Sequence, residues 1–186
     1  MVIAFTGAGI SKDSGIQTFM ENPSVRDRLT RSFATEYPEN YRQTVRELKE
    51  SIMDASPNDA HMALAEYGID VITMNIDGLH EQAGSTPILL HGELPSEEEL
   101  DYADQLWNKP VLYGDPAPNY HKAMLKIDAL GEDDVLLVIG ASRHTQIAVH
   151  IRELAFSNGA EIIEIQENAQ EEVRETLNDL KTRGKL

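Results

Sequence analysis

Apolar positions along the chain come in two rhythms. Residues 2–6, 69–74, 87–90, 111–113, 135–139 and 161–165 are short, nearly continuous runs of apolar and β-branched side chains. Such runs read as strands buried on both faces. Between them the apolar residues recur at the helical period. In 20–56, Val25, Leu29 and Phe33 step by four, then Tyr41, Val45, Leu48 and Ile52 follow at offsets of four, seven and eleven, which predicts two amphipathic helices joined around Pro38. Residues 61–67 form the next helix, with Ser56 as its N-cap, Pro57 at the first helical position and Gly68 ending it. Residues 97–107 are acidic and helix-like, and 120–130 are helical. A helix through Ile147, Ile151 and Leu154 and a last one carrying Val173, Leu177 and Leu180, capped by Asn168, complete the chain.

Apolar strands alternating with helices call for a parallel sheet covered on both faces. The expected fold is α/β, a doubly wound, Rossmann-like sheet of about six strands in one domain spanning 1–186. No internal repeat or low-complexity linker interrupts it.

Composition narrows the function. The formal charge of -16, from 32 acidic and 16 basic residues, opposes binding to nucleic acid or an anionic membrane surface, and no Lys/Arg cluster offsets it. No apolar run approaches the roughly 20 residues of a membrane span, and no signal-peptide layout opens the chain, so a cytoplasmic location is expected. With no cysteine there is no disulfide, thiolate zinc site or cysteine nucleophile, and no histidine cluster stands in for one; no metal is expected.

The candidate chemistry gathers where strands end. The first strand breaks into Gly7-Ala8-Gly9-Ile10-Ser11-Lys12-Asp13-Ser14-Gly15-Ile16, a turn whose glycines would let backbone N–H groups meet a pyrophosphate. The second strand delivers Asn75-Ile76-Asp77, and the third delivers His91-Gly92 to the same rim, where ligands of open α/β sheets collect. An amide and a carboxylate within three residues suit a site where positive charge develops, and a neutral histidine suits removal of a hydroxyl proton near neutral pH. His61 reads as a packing or hydrogen-bonding residue, and His80, His121, His144 and His150 as structural or surface residues.

These segments resemble the sirtuins, the NAD-dependent protein deacylases, from end to end. Gly7–Phe19 is similar to the family's first signature, Ser56–Ala65 to the helix before its second strand, and Thr73–His80 to its second signature. Leu90-His91-Gly92 resembles the segment with its catalytic histidine, and 109–115 the strand that pairs with the substrate peptide. Gly140-Ala141-Ser142 and Ile165-Gln166-Glu167 resemble the loops that hold the adenosine half of NAD.

The resemblance implies NAD-dependent lysine deacylation: nicotinamide is released and the acyl group passes to ADP-ribose. It implies catalytic roles for His91, Asn75 and Asp77. Cofactor contacts would come from Gly7, Ala8, Gly9, Ile10, Ser14, Phe19, Asn75, Ile76, Asp77, His91, Gly140, Ala141, Ser142, Gln166 and Glu167, with Phe19 shielding the ribose from departed nicotinamide. An acyl-lysine peptide or protein would lie against Val111, Tyr113, Gly114 and Asp115, added as a strand to an exposed edge. NAD hydrolysis, ADP-ribosyl transfer and non-catalytic NAD or ADP-ribose sensing are the alternatives.

The departures are specific. Gln17, Thr18 and Met20 replace the family's usual proline, polar residue and arginine; Met74 replaces glutamine, Ala141 threonine, and Gln166 asparagine. Between Gly92 and Pro110 the family's zinc module, with its two cysteine pairs, gives way to acidic helix formers, so the small domain is expected to be reduced or missing there.

Overall fold

A computed structural model of the chain describes residues 1–16 and 23–186. The expectations for Gln17, Thr18, Phe19 and Met20 lie outside the described residues.

The core is a five-stranded parallel sheet in the order β3-β2-β1-β4-β5. Its strands are β1 (Val2–Thr6), β2 (Asp70–Thr73), β3 (Ile88–Leu89), β4 (Val135–Ile139) and β5 (Glu161–Ile165). Every residue of β1 and β4 is buried, as their unbroken apolar runs demand. Alternation along each strand sends Val2, Ala4, Leu137 and Ile139 to one face, and Ile3, Phe5, Leu136 and Val138 to the other. The first face is covered by α4 (Asp59–Glu66) and α8 (Ala169–Thr182), the second by α6 (Tyr120–Asp128) and α7 (Gln146–Ser157). Strand order reverses between β1 and β4, and such a crevice is where open α/β sheets bind ligands.

A third apolar cluster lies apart from the sheet. It joins Leu29, α2 (Arg31–Glu36), α3 (Pro38–Ile52), the 3₁₀ helix Glu97–Gln105 and Leu112 through buried Ala34, Tyr41, Val45, Leu100 and Ala103. Ion pairs run along its rim: Arg42 to Asp104 at 2.6 Å, Arg46 to Asp101 at 2.7 Å and Lys49 to Glu97 at 2.9 Å. Asp101 and Glu97 are largely exposed, so those two pairs contribute at most about 1 kcal/mol each and apolar burial carries the packing. The acidic stretch is therefore neither lost nor a free solvated helix; it packs onto α3.

Several expectations are corrected in detail. The expected sixth strand, residues 111–113, makes only a single parallel bridge, Thr30 to Tyr113. It cannot extend, because the Val111 N–H goes to His91 O (2.8 Å), Pro110 has none, and the Leu112 N–H is taken by the Asp115 carboxylate (3.1 Å). Residues 23–52 form three helices rather than two: α1 (Pro23–Arg28) precedes α2 and α3. Extended Thr30 starts α2, its hydroxyl accepting from Phe33 N, and Tyr37, held off helical angles before Pro38, closes it. The N-cap of α4 is Asn58 rather than Ser56: its side chain accepts from Ala60 N (2.9 Å), and His61 Nδ1 accepts from Asn58 N (3.3 Å). Asn168 does precede α8, but it is left-handed and makes no side-chain cap bond.

Candidate functional site

The carboxyl ends of β1, β2 and β4 meet at the crevice, and the glycine loop after β1 lies against the Gly140 turn after β4. The N–H groups of Gly7 and Gly9 are spent inside the fold, on Ile139 O and Gly140 O, both at 3.0 Å. A Cβ on Gly9 would fall 2.5 Å from Gly140 Cα, and one on Gly7 would fall 2.7 Å from Gly140 O. Gly140 itself is left-handed, at φ +56. These glycines are required first by backbone-to-backbone packing, a reason unlike the direct pyrophosphate contact expected of them.

Beneath the loop the structure assembles a polar network that the sequence reading missed. Ser11 is fully buried and donates to Asp77 Oδ2 at 2.6 Å. His61 Nδ1 already accepts from Asn58 N, so its Nε2 carries the proton and donates to Ser11 Oγ at 3.4 Å. Asn75 Nδ2 donates to the same oxygen and to Gly7 O, each at 3.2 Å. One hydroxyl thus makes one donated and two accepted bonds, its full capacity, and fixes the side chains of Asn75 and Asp77 together. Asp77 is further held by Leu79 N on Oδ1 at 3.0 Å. Because Gly7 O can only accept, the Asn75 amide orientation is determined: Oδ1 faces away and has no partner among the described residues.

His80 extends the network. The Thr6 hydroxyl donates to Thr73 Oγ1 (2.8 Å), so it accepts from His80 Nε2 (2.9 Å), and His80 Nδ1 is left buried without a partner. Burial pushes His80 down from 6.5 to about 3, with the nearby His61 adding to the shift, and burial lowers His61 as well. A folded pKa below the unfolded one means that the unfolded chain takes the proton first. Stability is therefore whole above pH 6.5 and is lost as pH falls toward 3, at about 1.4 kcal/mol per pH unit for His80. Melting temperatures should be level above neutrality and decline steadily between about pH 6.5 and 5, where histidines alone titrate normally. A level profile across that window would mean that His80 titrates like an exposed histidine.

His91 stands on the same rim, half-buried. Its Nδ1 lies 3.0 Å from Met74 O, which can only accept, so Nδ1 is protonated and Nε2 carries the lone pair. Burial lowers its pKa, partly opposed by the Met74 carbonyl. It is a neutral base at physiological pH. Met74 itself accepts through sulfur from Thr145 Oγ1 at 3.5 Å and packs into the cluster on the α6/α7 side of the sheet.

The later loops lie at the ends of β4 and β5. Gln166 Nε2 donates to Ala141 O (3.3 Å) and Glu164 Oε2 (3.0 Å), tying the two loops together, while Ser142 and Glu167 are exposed. Buried Arg152 donates to Ala141 O at 2.6 Å and to Glu164 Oε1 at 3.0 Å, a fastening that a lone arginine in an apolar helix could have signalled. Ala8, Ser14 and Ile76 are half-buried on the loop and rim, but Ile10, expected at the cofactor, is fully buried in the core cluster with its N–H on Gly7 O (3.2 Å); Asn58 Nδ2 fixes Ile10 O (2.8 Å) and Ser14 Oγ (3.1 Å).

The expected peptide edge is largely closed. Tyr113 N and O bond to Leu29 O and Arg31 N, at 3.0 and 2.9 Å, and Leu112 O accepts from Asp115 N at 2.9 Å. The Asp115 side chain is fully buried and held by Arg31 at 2.8 and 2.7 Å, so it serves the turn and not a ligand. Val111 O and the Gly114 peptide groups remain without partners among the described residues.

Comparison with known proteins agrees with this layout. The sequence model described as the Sir2 family matches residues 7–103, more than half of the chain. An NAD-dependent protein deacetylase of Thermodesulfovibrio yellowstonii is 33% identical, over 87% of this chain and 77% of the relative. An NAD-dependent protein deacylase of Thermococcus sibiricus is 33% identical, over 99% of this chain and 86% of the relative. Among solved structures, a Sir2 homolog–NAD complex superposes with a TM-score of 0.81 at 25% identity, covering 98% of this chain and 90% of that one. A variant Sir2 homologue bound to ADP-ribose gives 0.81 at 26% identity, over 100% and 93%. With the glycine loop and the Asn75–Asp77 rim inside the matched segment, and the whole sheet covered by the superposed structure, the chain belongs to the Sir2 family.

Proposed function

We propose that this protein is an NAD-dependent protein lysine deacylase working as one catalytic unit over 1–186. The observation that carries the reading is Asn75: a buried amide at the carboxyl end of β2, locked by Gly7 O and Ser11, with its Oδ1 turned away and unpartnered among the described residues. That acceptor fits a ligand carboxamide N–H, and so the site fits NAD. Ala8, Ser14, Gly140, Ala141, Ser142, Gln166 and Glu167 would hold it alongside Asn75, Ile76, Asp77 and His91. When bound, NAD supplies the ribose carbon that loses nicotinamide and the hydroxyls that receive the acyl group. Asn75 orients the carboxamide, and Asp77, aligned by Ser11 and Leu79 N, places a carboxylate where positive charge develops. His91 Nε2, unprotonated and facing the rim, takes a hydroxyl proton.

The partner would be an acyl-lysine peptide or protein, with no nucleic acid or membrane involved, and the location cytoplasmic. No helix among the described residues is long and apolar enough to cross a membrane. Zinc-independence is part of the proposal, since the chain has no cysteine and the segment 97–105 packs through apolar and ionic contacts. A second reading, NAD hydrolysis or ADP-ribosyl transfer, is favoured by the engaged backbone of Leu112 and Tyr113, which leaves little edge for a peptide. Incubation with NAD and an acetyl-lysine peptide in excess chelator, with products identified by mass, separates the two. O-acyl-ADP-ribose is expected; free ADP-ribose or modified protein would replace the first reading with the second, and unchanged NAD would sink both.

A further inference from the structure

His91 has a second neighbour. The Tyr120 hydroxyl sits 3.4 Å from His91 Nε2, the nitrogen that must act as the base, with ring centroids 6.4 Å apart. That is long for a hydrogen bond, as catalytic contacts commonly are before substrate seats. Tyr120 is the first residue of α6, and its place is fixed from two sides. Asn119 Nδ2 donates to Leu89 O at 2.8 Å, pinning the start of the helix to the strand that delivers His91, and the Tyr120 ring packs against the apolar cluster on that face of the sheet. Among the described residues, Met74 O and the Tyr120 hydroxyl are the polar groups bonded to the imidazole. Tyr113 is the titratable neighbour that acts on Tyr120.

Removing a hydroxyl proton leaves a positive charge on a ring with little access to water. The proton moves from the ribose oxygen to Nε2, and the electron pair it leaves serves the attack on the acyl carbon. The resulting imidazolium has two N–H groups to satisfy. Nδ1–H already has Met74 O; among the described residues Nε2–H has no acceptor other than the phenol oxygen. We propose that Tyr120 is a positioning residue for His91: its hydroxyl donates to the Nε2 lone pair at rest, turns its hydrogen away as the substrate hydroxyl takes that lone pair, and accepts from Nε2–H once the proton has arrived. Burial raises the Tyr120 pKa, which keeps the phenol protonated and able to reverse roles. The charge-assisted bond is the stronger of the two, so Tyr120 favours the protonated histidine and opposes the effect of burial on His91.

This rests on the deacylase reading, and the test keeps the two apart. In Tyr120→Phe, product formation should fall roughly 10- to 100-fold, the loss typical of a hydrogen bond to a charged group. The acidic limb of the kcat profile should move to lower pH, while nicotinamide exchange into NAD and the thermal shift given by NAD persist. Independently of activity, the His91 imidazole, assigned with His91→Gln, should titrate at lower pH in Tyr120→Phe than in the parent protein when followed by NMR. An unchanged His91 titration overturns the pairing, and loss of exchange together with acyl transfer would make Tyr120 part of NAD binding instead. A parent protein that makes no O-acyl-ADP-ribose would count against the deacylase reading, and the NMR comparison would still decide the contact.

Discussion

His91→Ala is expected to cut acyl transfer by roughly 10²- to 10⁴-fold, the usual contribution of a general base, while leaving NAD bound. In the proposed reaction the base acts after nicotinamide has left, so with acyl peptide present the variant should still incorporate labelled nicotinamide into NAD. Asn75→Ala should behave in the opposite way. Its amide is oriented by Gly7 O and Ser11 Oγ before any ligand arrives, so its loss removes an acceptor aimed at the departing group and frees Ser11 to rearrange around Asp77. Exchange itself should then fail, along with product. Equal loss of exchange in the two variants would mean that His91 serves cleavage or cofactor binding, and would favour NAD hydrolysis over deacylation.

Arg31→Ala should destabilise the protein by about 3–5 kcal/mol, the cost of leaving one partner of a buried ion pair alone. The guanidinium donates to both Asp115 oxygens and also to Asp104 O (2.7 Å) and Leu106 O (2.8 Å), and it lies 4.3 Å over the Trp107 ring. Its side chain is 18% exposed and that of Asp115 0%, so solvent does little to replace the lost bonds. Arg31 therefore joins the start of α2, the end of the 3₁₀ helix and the turn before α6. Arg31→Lys keeps the charge but not the planar fork, and should fall between the parent and Arg31→Ala. The pair Arg31→Met with Asp115→Leu should cost less than Arg31→Ala alone, because no charge is left buried. Denaturant midpoints read out the series. A loss under about 1 kcal/mol for Arg31→Ala would reduce the junction to an ordinary surface pair.

Much of the fold was legible because it depends on local rhythm. The unbroken runs 2–6 and 135–139 could only be buried strands, and steps of three and four marked the helices that cover them. Even the rim was legible, since Asn75, Asp77 and His91 come within four residues of a strand end. The errors fell where two local signals competed. Thr30 was overlooked as a helix start because Val25, Leu29 and Phe33 keep their spacing straight across it. Ser56-Pro57 looked like a cap and first turn, yet Asn58 is the residue whose side chain meets both Ala60 N and Ile10 O.

The sequence by itself determined the five strands of the sheet, the four helices that cover it, the glycine loop and the residue types at the strand ends, because each follows from neighbours a few positions away. Tertiary structure alone decided which partner each polar atom takes. Ser11 gathers His61, Asn75 and Asp77 from 50, 64 and 66 residues away, and Asp115 reaches Arg31 across 84. The N–H groups of Gly7 and Gly9 go to the end of β4. Hydrogen-bonding groups saturate, and several acceptors compete for each donor, so the outcome turns on distances that exist only once the sheet has brought its strand ends together.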